Sequence, residues 1–244
     1  MKPHFFGDSA RPLFGVHTPS ASGLGETGVV ICPPMGQEGL RAYRTLRLLA
    51  DQLALAGAEV LRFDFFGTGD SAGDVREGRP SIWLENVRSA SQHLRELAPV
   101  RRVVLVGLRL GGTLALLAEV PATSRVILWD PILDSREYIK ELSRDAVDPR
   151  GDEWEVRGFP IGPAFRAEMA SMDLGALRRV PPDVRIVITQ ESPGLAGFQT
   201  ALEGRRARVE TDRIEAPRAW ADDEAFGVGA VPAGVLRRIV EWTS

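Results

Sequence analysis

Short apolar segments alternate with longer amphipathic ones along this chain, and this alternation is the feature that most constrains its fold. Residues 28–32, 59–64, 103–107 and 126–130 are rich in Val, Ile, Leu and Phe, as is typical of strands buried on both faces. Residues 40–55, between the first two, place apolar side chains on one helical stripe. The pattern predicts an α/β fold with a mostly parallel central sheet and helices on both faces.

One region interrupts this alternation. Residues 134–173 are rich in charge and hold two predicted helical stretches, at 135–146 and 163–172. We interpret them as a small helical cap inserted over the carboxyl ends of the strands, so that residues 1–244 form a single domain. The remaining predicted elements are a hairpin, two strands and a closing helix, at residues 5–18, 184–189, 208–214 and 232–242.

Composition excludes several classes of partner and cofactor. The chain carries 30 basic and 33 acidic side chains, a formal net charge of −3, which argues against a nucleic-acid partner. A single cysteine, Cys32, excludes an internal disulfide and a cysteine-built zinc site, and we expect no metal and no cofactor. Neither a signal peptide nor a membrane-length apolar stretch is evident, so we expect a cytoplasmic protein without a membrane span.

Histidine is scarce and unevenly placed. The chain holds three, His4, His17 and His93, and none follows residue 93. Any mechanism that needs a histidine from the C-terminal half of the chain is therefore excluded.

A strand, a G-x-x-x-G turn and an apolar helix follow one another in the middle of the chain. The turn reads G-L-R-L-G from Gly107 to Gly111, and the apolar helix over residues 112–119 begins directly after it. Glycine is needed at such positions because a side chain would collide with the neighbouring strand and helix.

Two further segments precede this turn: ICPPMGQE at residues 31–38 and RFDFFGTGDS at residues 62–71. In order and separation the three segments resemble the α/β-hydrolase superfamily, and within it the bacterial group related to serine aminopeptidases and to exosortase-associated hydrolases. The resemblance covers residues 12–135 and, more loosely, the closing helix. It implies an α/β-hydrolase fold in which the turn is a nucleophile elbow, with nucleophile, acid and histidine following in chain order.

The chain departs from that pattern where the chemistry would occur. The elbow holds Arg109, whose protonated guanidinium offers no nucleophile. The resemblance places the acid after residues 184–189, where Glu191 stands, and the histidine near residues 215–220, where there is none. We therefore predict a pseudo-hydrolase with a degenerate triad, without serine-hydrolase chemistry. In having an arginine at the elbow, the sequence resembles some exosortase-associated relatives. For these relatives the word "hydrolase" describes the fold and not an activity.

What remains of the elbow favours binding of an anion, either a carboxylate or a phosphate. The amide of Leu110 opens a helix, and the resemblance implies that the amide of Met35, before Gly36, is the second oxyanion donor. The guanidinium of Arg109 would converge on the same position as a fork. The candidate ligand-binding residues are therefore Arg109, Leu110, Met35, Gly36 and Asp130.

An internal ion pair is the alternative, because a buried arginine needs a partner. Asp130, Asp64 or Glu191 would neutralise Arg109, and the two arrangements can coexist. Two further interpretations of Asp130 are a lone base and a turn-forming residue before Pro131.

Three other side chains have structural interpretations. Cys32 ends a buried strand, and Ser71 shapes the glycine-rich loop. Trp220, with the acidic residues 222–224, indicates either a capping turn before the closing helix or a docking edge.

Three hypotheses for the function remain. The first is a non-hydrolytic protein that binds an anionic or acyl small molecule, or a protein partner, at the former active site. The second is an enzyme with atypical chemistry (a cyclase, lyase or thioesterase-like enzyme of a biosynthetic or exopolysaccharide/exosortase-linked cluster), with Arg109 as clamp, Asp130 or Glu191 as acid/base and residues 134–173 as lid. The third is a scaffold whose insertion or closing helix contacts another protein.

Overall fold

The computed structural model describes residues 1–23, 25–218, 220–221 and 231–243. Within them, eight strands form one sheet and two short strands form another. The strands are β1 (Lys2–Phe6), β2 (Leu13–Thr18), β3 (Thr27–Cys32), β4 (Glu59–Phe63), β5 (Arg102–Leu108), β6 (Thr123–Trp129), β7 (Trp154–Val156), β8 (Phe159–Ile161), β9 (Asp183–Ile188) and β10 (Arg208–Arg213).

The large sheet is mostly parallel. Its strand order is β1-β2-β4-β3-β5-β6-β9-β10. β2 runs antiparallel to both of its neighbours, and all other pairings are parallel. The register aligns Ile31 with Val106 and Val106 with Ile127, so the loops after β3, β5 and β6 emerge side by side at one edge. Functional groups on these loops are thereby brought together.

Helices cover both faces of this sheet, which confirms the predicted α/β class. One buried cluster joins the sheet to α2 and α3, and a second joins its other face to α1 and the C-terminal helix. α1 and α3 begin earlier than their apolar stripes suggest, since their first turns are half polar or glycine-rich. The helices are α1 (Gly36–Leu55), α2 (Pro80–Leu97), α3 (Leu110–Leu117), α4 (Ser135–Arg144), α5 (Pro163–Ser171), α6 (Leu195–Glu203) and α7 (Ala233–Thr243), with 3-10 turns at Val75–Glu77 and Leu174–Ala176.

The insertion, residues 134–173, contains the two predicted helices as α4 and α5. It also contains a hairpin, β7–β8, which the sequence analysis did not predict. The hairpin turns at Arg157 and Gly158, both with positive φ, and the two strands have only three residues each. Trp154 and Ile161 on the hairpin are buried in the same cluster as the sheet residues. The insertion thus packs directly on the main core.

None of the helices in the described part of the chain is both long and apolar enough to cross a membrane. Residues 222–224, whose acidic side chains indicate a capping turn, lie outside the described residues.

Candidate functional site

Arg109 is the single residue between β5 and α3. Its φ of 53° and ψ of −126° lie in a region that residues with a side chain rarely adopt. Such a conformation costs on the order of 1–3 kcal/mol and persists only where the surroundings fix it. The Arg109 amide donates to the carbonyl of Trp129 at 2.9 Å, which ties the turn to β6. The geometry is that of the strained strand-to-helix elbow that the sequence predicts.

Glycines let this elbow pack against the end of β3. A β-carbon on Gly111 would overlap the carbonyl oxygens of Cys32 and Pro33, and one on Gly107 would overlap Gly112. The start of α3 therefore lies directly beside the loop that leads from β3 to α1. This loop carries Met35, as the resemblance implies for the oxyanion position.

The side chain of Arg109 is buried and paired within the protein. Only 8% of the residue is exposed. Its Nε donates to Oε1 of Glu38 at 2.9 Å, and its Nη2 lies 3.8 Å from Oε2 of Glu141. An internal ion pair is therefore present, but the expected partners are wrong: neither Asp130, Asp64 nor Glu191 pairs with Arg109. Glu38 reaches the guanidinium because the first turn of α1 begins directly after the β3 loop.

Two aromatic rings enclose the same guanidinium. Its Cζ lies 4.2 Å from the ring centroid of Trp220 and 5.8 Å from that of Tyr138. Trp220 is buried, and it belongs to the segment where the resemblance implies a histidine. The stacking is a favourable cation–π arrangement that strengthens when water is excluded. Trp220 therefore contacts the guanidinium at the elbow. Neither interpretation from the sequence, a capping turn or a docking edge, includes this role.

Burial and charge act against each other in this cluster. Burial raises the pKa of Glu38, while the positive charge and hydrogen bond of Arg109 act to lower it, and the net shift is upward. Burial lowers the pKa of Arg109, but the charges of Glu38, Tyr138 and Glu141 and the hydrogen bond to Glu38 together outweigh it, and the net pKa is raised. Burial also raises the pKa of Tyr138 well above its ordinary value. Arg109 therefore stays a cation, and its neighbours are held in a desolvated environment.

Asp130 follows β6 and links it to the end of β9. It is 2% exposed and has a φ of 43°. Its carboxylate accepts hydrogen bonds from the Thr189 amide at 2.8 Å and from Thr189 Oγ1 at 2.5 Å. Burial raises the pKa of Asp130, and the two Thr189 hydrogen bonds partly oppose this. Asp130 is thus tied to Thr189, with Arg109 acting on it only through its charge.

The candidate acid Glu191 is exposed and, among the described residues, forms no ion pair or side-chain hydrogen bond. It lines a cavity of about 790 Å³ with a mixed polar and apolar wall, together with Arg109 and Asp130. The structure thus brings the three candidates to one cavity without joining them into a hydrogen-bonded relay.

Two more cavities adjoin each other beside the β3 loop. A small one of about 200 Å³ is lined by Arg109, Glu38 and Trp220. A larger, mainly apolar one of about 640 Å³ lies toward β2 and β4. The walls of both cavities include Met35, Gly36, Phe159 and Ile161, so the β8 hairpin strand and the β3 loop form their common boundary.

Other potential nucleophiles and bases have structural roles. Burial raises the pKa of the Cys32 thiol, which favours the unreactive protonated form. Ser71 Oγ donates to the Asp64 carbonyl at 2.6 Å and accepts from the Phe14 amide at 2.8 Å. His17 pairs with Glu59 at 2.8 Å, and neither it nor the other two histidines lines the three cavities. Over the described ranges, no cluster of three or more His, Cys, Asp or Glu side chains is arranged to hold a metal ion.

Sequence reasoning missed four members of the Arg109 cluster: Glu38, Tyr138, Glu141 and Trp220. Glu38 could have been predicted from the sequence, because it lies in the ICPPMGQE segment three residues after the oxyanion candidate Met35. The other three come from the insertion and from the segment after β10, and only the tertiary structure places them at the elbow.

No protein-family model matches the sequence, and no curated protein matches it. Solved structures do resemble it over nearly the whole chain. Est1E from Butyrivibrio proteoclasticus, with ferulic acid bound, is 17% identical, with 97% of this chain and 99% of that chain covered and a TM-score of 0.70. The esterase Pf2001 from Pyrococcus furiosus is 16% identical, with coverages of 98% and 88% and a TM-score of 0.67. Mouse alpha/beta hydrolase domain-containing protein 10 is 18% identical, with both chains fully covered at 100% and a TM-score of 0.61.

These similarities show that the chain has the α/β-hydrolase fold. At such identities they establish the fold and leave the chemistry to be argued from the site.

Proposed function

We propose that this chain is a non-hydrolytic protein of the α/β-hydrolase fold that binds an acyl or other apolar small molecule in the cavity beside the elbow. The observation that carries the proposal is the state of Arg109, which occupies the nucleophile position while paired with Glu38 and stacked on Trp220. A guanidinium provides no nucleophile, and here its charge is already balanced within the protein.

The environments of Cys32 and Ser71 support this proposal, because neither side chain is available as a substitute nucleophile. Cys32 is buried and protonated, and Ser71 is held by two main-chain hydrogen bonds. A serine or cysteine needs an adjacent base, yet the three histidines lie away from the cavity walls. An acyl-enzyme mechanism therefore has no nucleophile at the elbow and no histidine base in the walls of the three cavities.

The cavity beside the elbow supports ligand binding. Its volume of about 640 Å³ lies in the range of small-molecule sites, and its lining is predominantly apolar. Residues 134–173 would act as its lid, because Phe159, Ile161 and Phe165 of the insertion form part of the wall. Est1E, a structural neighbour, holds ferulic acid, an aromatic small molecule.

The ion pair with Glu38 revises the expected role of Arg109. An anion would have to displace Glu38 to be held in the Arg109 fork, and the displaced carboxylate would lose its partner. We therefore assign the apolar cavity, in place of the guanidinium, as the main binding determinant, with Met35 and Gly36 of the β3 loop in its wall. Leu110 does not line this cavity.

An enzyme with atypical acid–base chemistry is the second candidate. It is favoured by the buried carboxyl groups of Glu38 and Asp130, whose raised pKa values are typical of functional sites. In that case Arg109 would be an electrostatic clamp beside a general acid or base.

The proposed function is tested by binding and turnover measured on the same preparation. The neutral dye N-phenyl-1-naphthylamine should become fluorescent in the apolar cavity, and Val16→Phe, which fills the cavity wall, should weaken its binding. Glu155→Gln, an exposed change on β7, is the matched control and should bind as the native chain does. We expect no hydrolysis of p-nitrophenyl esters above buffer and no serine labelling by a fluorophosphonate.

Failure of the dye to bind, or equal binding by the Val16→Phe variant, would contradict the binding proposal. Labelling of a serine by the fluorophosphonate would restore ordinary hydrolysis. Turnover that is insensitive to the fluorophosphonate but lost in Asp130→Asn would favour the second candidate.

A further inference from the structure

Arg62 is a buried arginine in the wall of the large apolar cavity. It lies near the end of β4 and is 9% exposed. Among the described residues, no carboxylate lies within ion-pairing distance of its guanidinium, and its buried Nε has no hydrogen-bond partner. The other two buried arginines, Arg109 and Arg185, do have carboxylate partners, Glu38 at 2.9 Å and Asp183 at 2.6 Å.

The positive charge of Arg62 has no ion-pair partner among the described residues. It acts on Asp64 only at longer range, where it lowers the pKa of that carboxyl group against the larger, raising effect of burial. The nearest acidic group in sequence, Asp64, accepts a hydrogen bond from the Asp70 amide at 3.1 Å and is thereby held in the glycine-rich loop. The ring of Tyr43 on α1 lies 5.3 Å from Cζ of Arg62 and covers one side of the guanidinium. The N–H groups of Arg62 are thus positioned for an acceptor from the cavity.

Most of the cavity wall is suited to an apolar chain or ring. Phe14 and Val16 on β2, Leu46 on α1 and Phe165 on α5 lie around the same space as Arg62. Among the described residues that line the cavity, Arg62 is the one cation, and Asp64 and Asp70 of the glycine-rich loop also belong to the wall. This combination favours a ligand whose single anionic group meets Arg62 and whose body is apolar. An isolated buried guanidinium is unfavourable, and a ligand carboxylate would pair with it through two parallel hydrogen bonds.

We infer that the cavity binds an apolar carboxylic acid, whose carboxylate pairs with Arg62 and whose apolar body lies among the aromatic and aliphatic walls. This inference rests on the proposed function, because it names the class of molecule that the apolar cavity accepts. It assigns the anion-binding role to Arg62, whereas the sequence pattern favoured Arg109.

The test compares decanoate with its neutral analogues decanol and decanamide, each measured by displacement of N-phenyl-1-naphthylamine. The native chain should bind decanoate at least tenfold more tightly than either neutral analogue. Arg62→Met, which keeps the length and loses the charge, should abolish that preference while leaving decanol affinity within about twofold. Arg44→Met, at an exposed arginine on α1, controls for net charge and should retain the preference.

Two results would overturn the inference. One is equal affinity of the native chain for decanoate and decanol, which needs no variant; the other is an undiminished preference in Arg62→Met. Arg62→Gln serves as a second neutral variant if thermal unfolding shows that Arg62→Met is not folded. If neither the dye nor any of the decyl compounds binds the native chain, the proposed function itself fails, and that result is distinct from loss of the preference alone.

Discussion

Arg109 and Arg62 are both buried arginines near the carboxyl edge of the same sheet, but their surroundings differ. Arg109 has Glu38 on its Nε and Trp220 on its face, so its charge and one of its surfaces are already occupied. Arg62 has an aromatic neighbour, no ion pair among the described residues, and a cavity in front of it. The difference indicates that the guanidinium at the elbow is occupied by the protein's own side chains, while that of Arg62 lies at a cavity without an ion-pair partner among the described residues.

This contrast has a cause in the chain's topology. The loop after β3 places the first turn of α1 beside the elbow. Glu38, an acidic side chain in that turn, therefore reaches Arg109. Arg62 instead faces β2 and the middle of α1, where Val16 and Leu46 are apolar. The same residue type is therefore satisfied at one position and left without a partner at the other.

The largest expected effect comes from breaking the ion pair of Arg109. Glu38→Leu removes the acceptor of the Arg109 Nε and leaves a buried cation, which should lower the free energy of unfolding by about 3 kcal/mol. Urea denaturation followed by circular dichroism measures this change. The double variant Glu38→Leu/Arg109→Met, which removes both charges, should recover most of the loss. If the double variant is as unstable as the single one, the pair is not the reason for the loss.

Removing the charge of Arg62 should change the free energy of unfolding in the opposite direction. In the ligand-free protein, Arg62→Met replaces an unpaired buried cation by an apolar side chain and should raise the free energy of unfolding by about 1 kcal/mol. The midpoint of urea denaturation measures it, with Arg44→Met as the exposed control. A destabilisation as large as that of Glu38→Leu would show that Arg62 is internally satisfied, and the contrast between the two sites would then be wrong.

The burial of Asp130 predicts how the stability of the protein depends on pH. Its pKa is raised in the folded protein, so between the ordinary aspartate value near 3.8 and that raised value the folded state binds more protons than the unfolded state. The contribution of Asp130 to stability should therefore fall as pH rises through this window and then become constant. Asp130→Asn should flatten the pH profile of the free energy of unfolding, and an unchanged slope would contradict the burial argument.

Glu191 should show the smallest effect. It is exposed and, among the described residues, has no side-chain partner, so Glu191→Gln should change the free energy of unfolding by less than about 0.5 kcal/mol. Thermal unfolding measures this change. A larger loss, or a loss of any catalytic turnover found in the native chain, would place Glu191 back among the functional residues.

Much of the fold follows from sequence patterns that act locally. The apolar runs of β3–β6 and the helical stripe of α1 identify a covered parallel sheet, and the elbow glycines identify the turn that holds Arg109. The β7–β8 hairpin could not be predicted from the sequence, because its strands have only three residues each. An apolar/polar alternation of that length cannot be distinguished from a loop.

The partners of Arg109 follow from tertiary structure. Trp220 and Glu141 come from segments far from the elbow in sequence, and no local pattern links them to it. Arg62, however, did carry a local signal. It lies on the same face of β4 as the buried Val60, and a charged residue at such a position is informative because buried charges need partners.

Pairing of a ligand carboxylate with Arg62 is tested most directly by the ionisation of a bound acid. The carboxyl pKa of [1-¹³C]decanoate bound to the native chain can be followed by ¹³C NMR as pH is lowered. Pairing with Arg62 predicts a pKa below that of free decanoate and a higher value in Arg62→Met, where the carboxylate is buried without a cation. A bound carboxyl group that titrates at or above its free value in the native chain, with no change in Arg62→Met, would contradict the account.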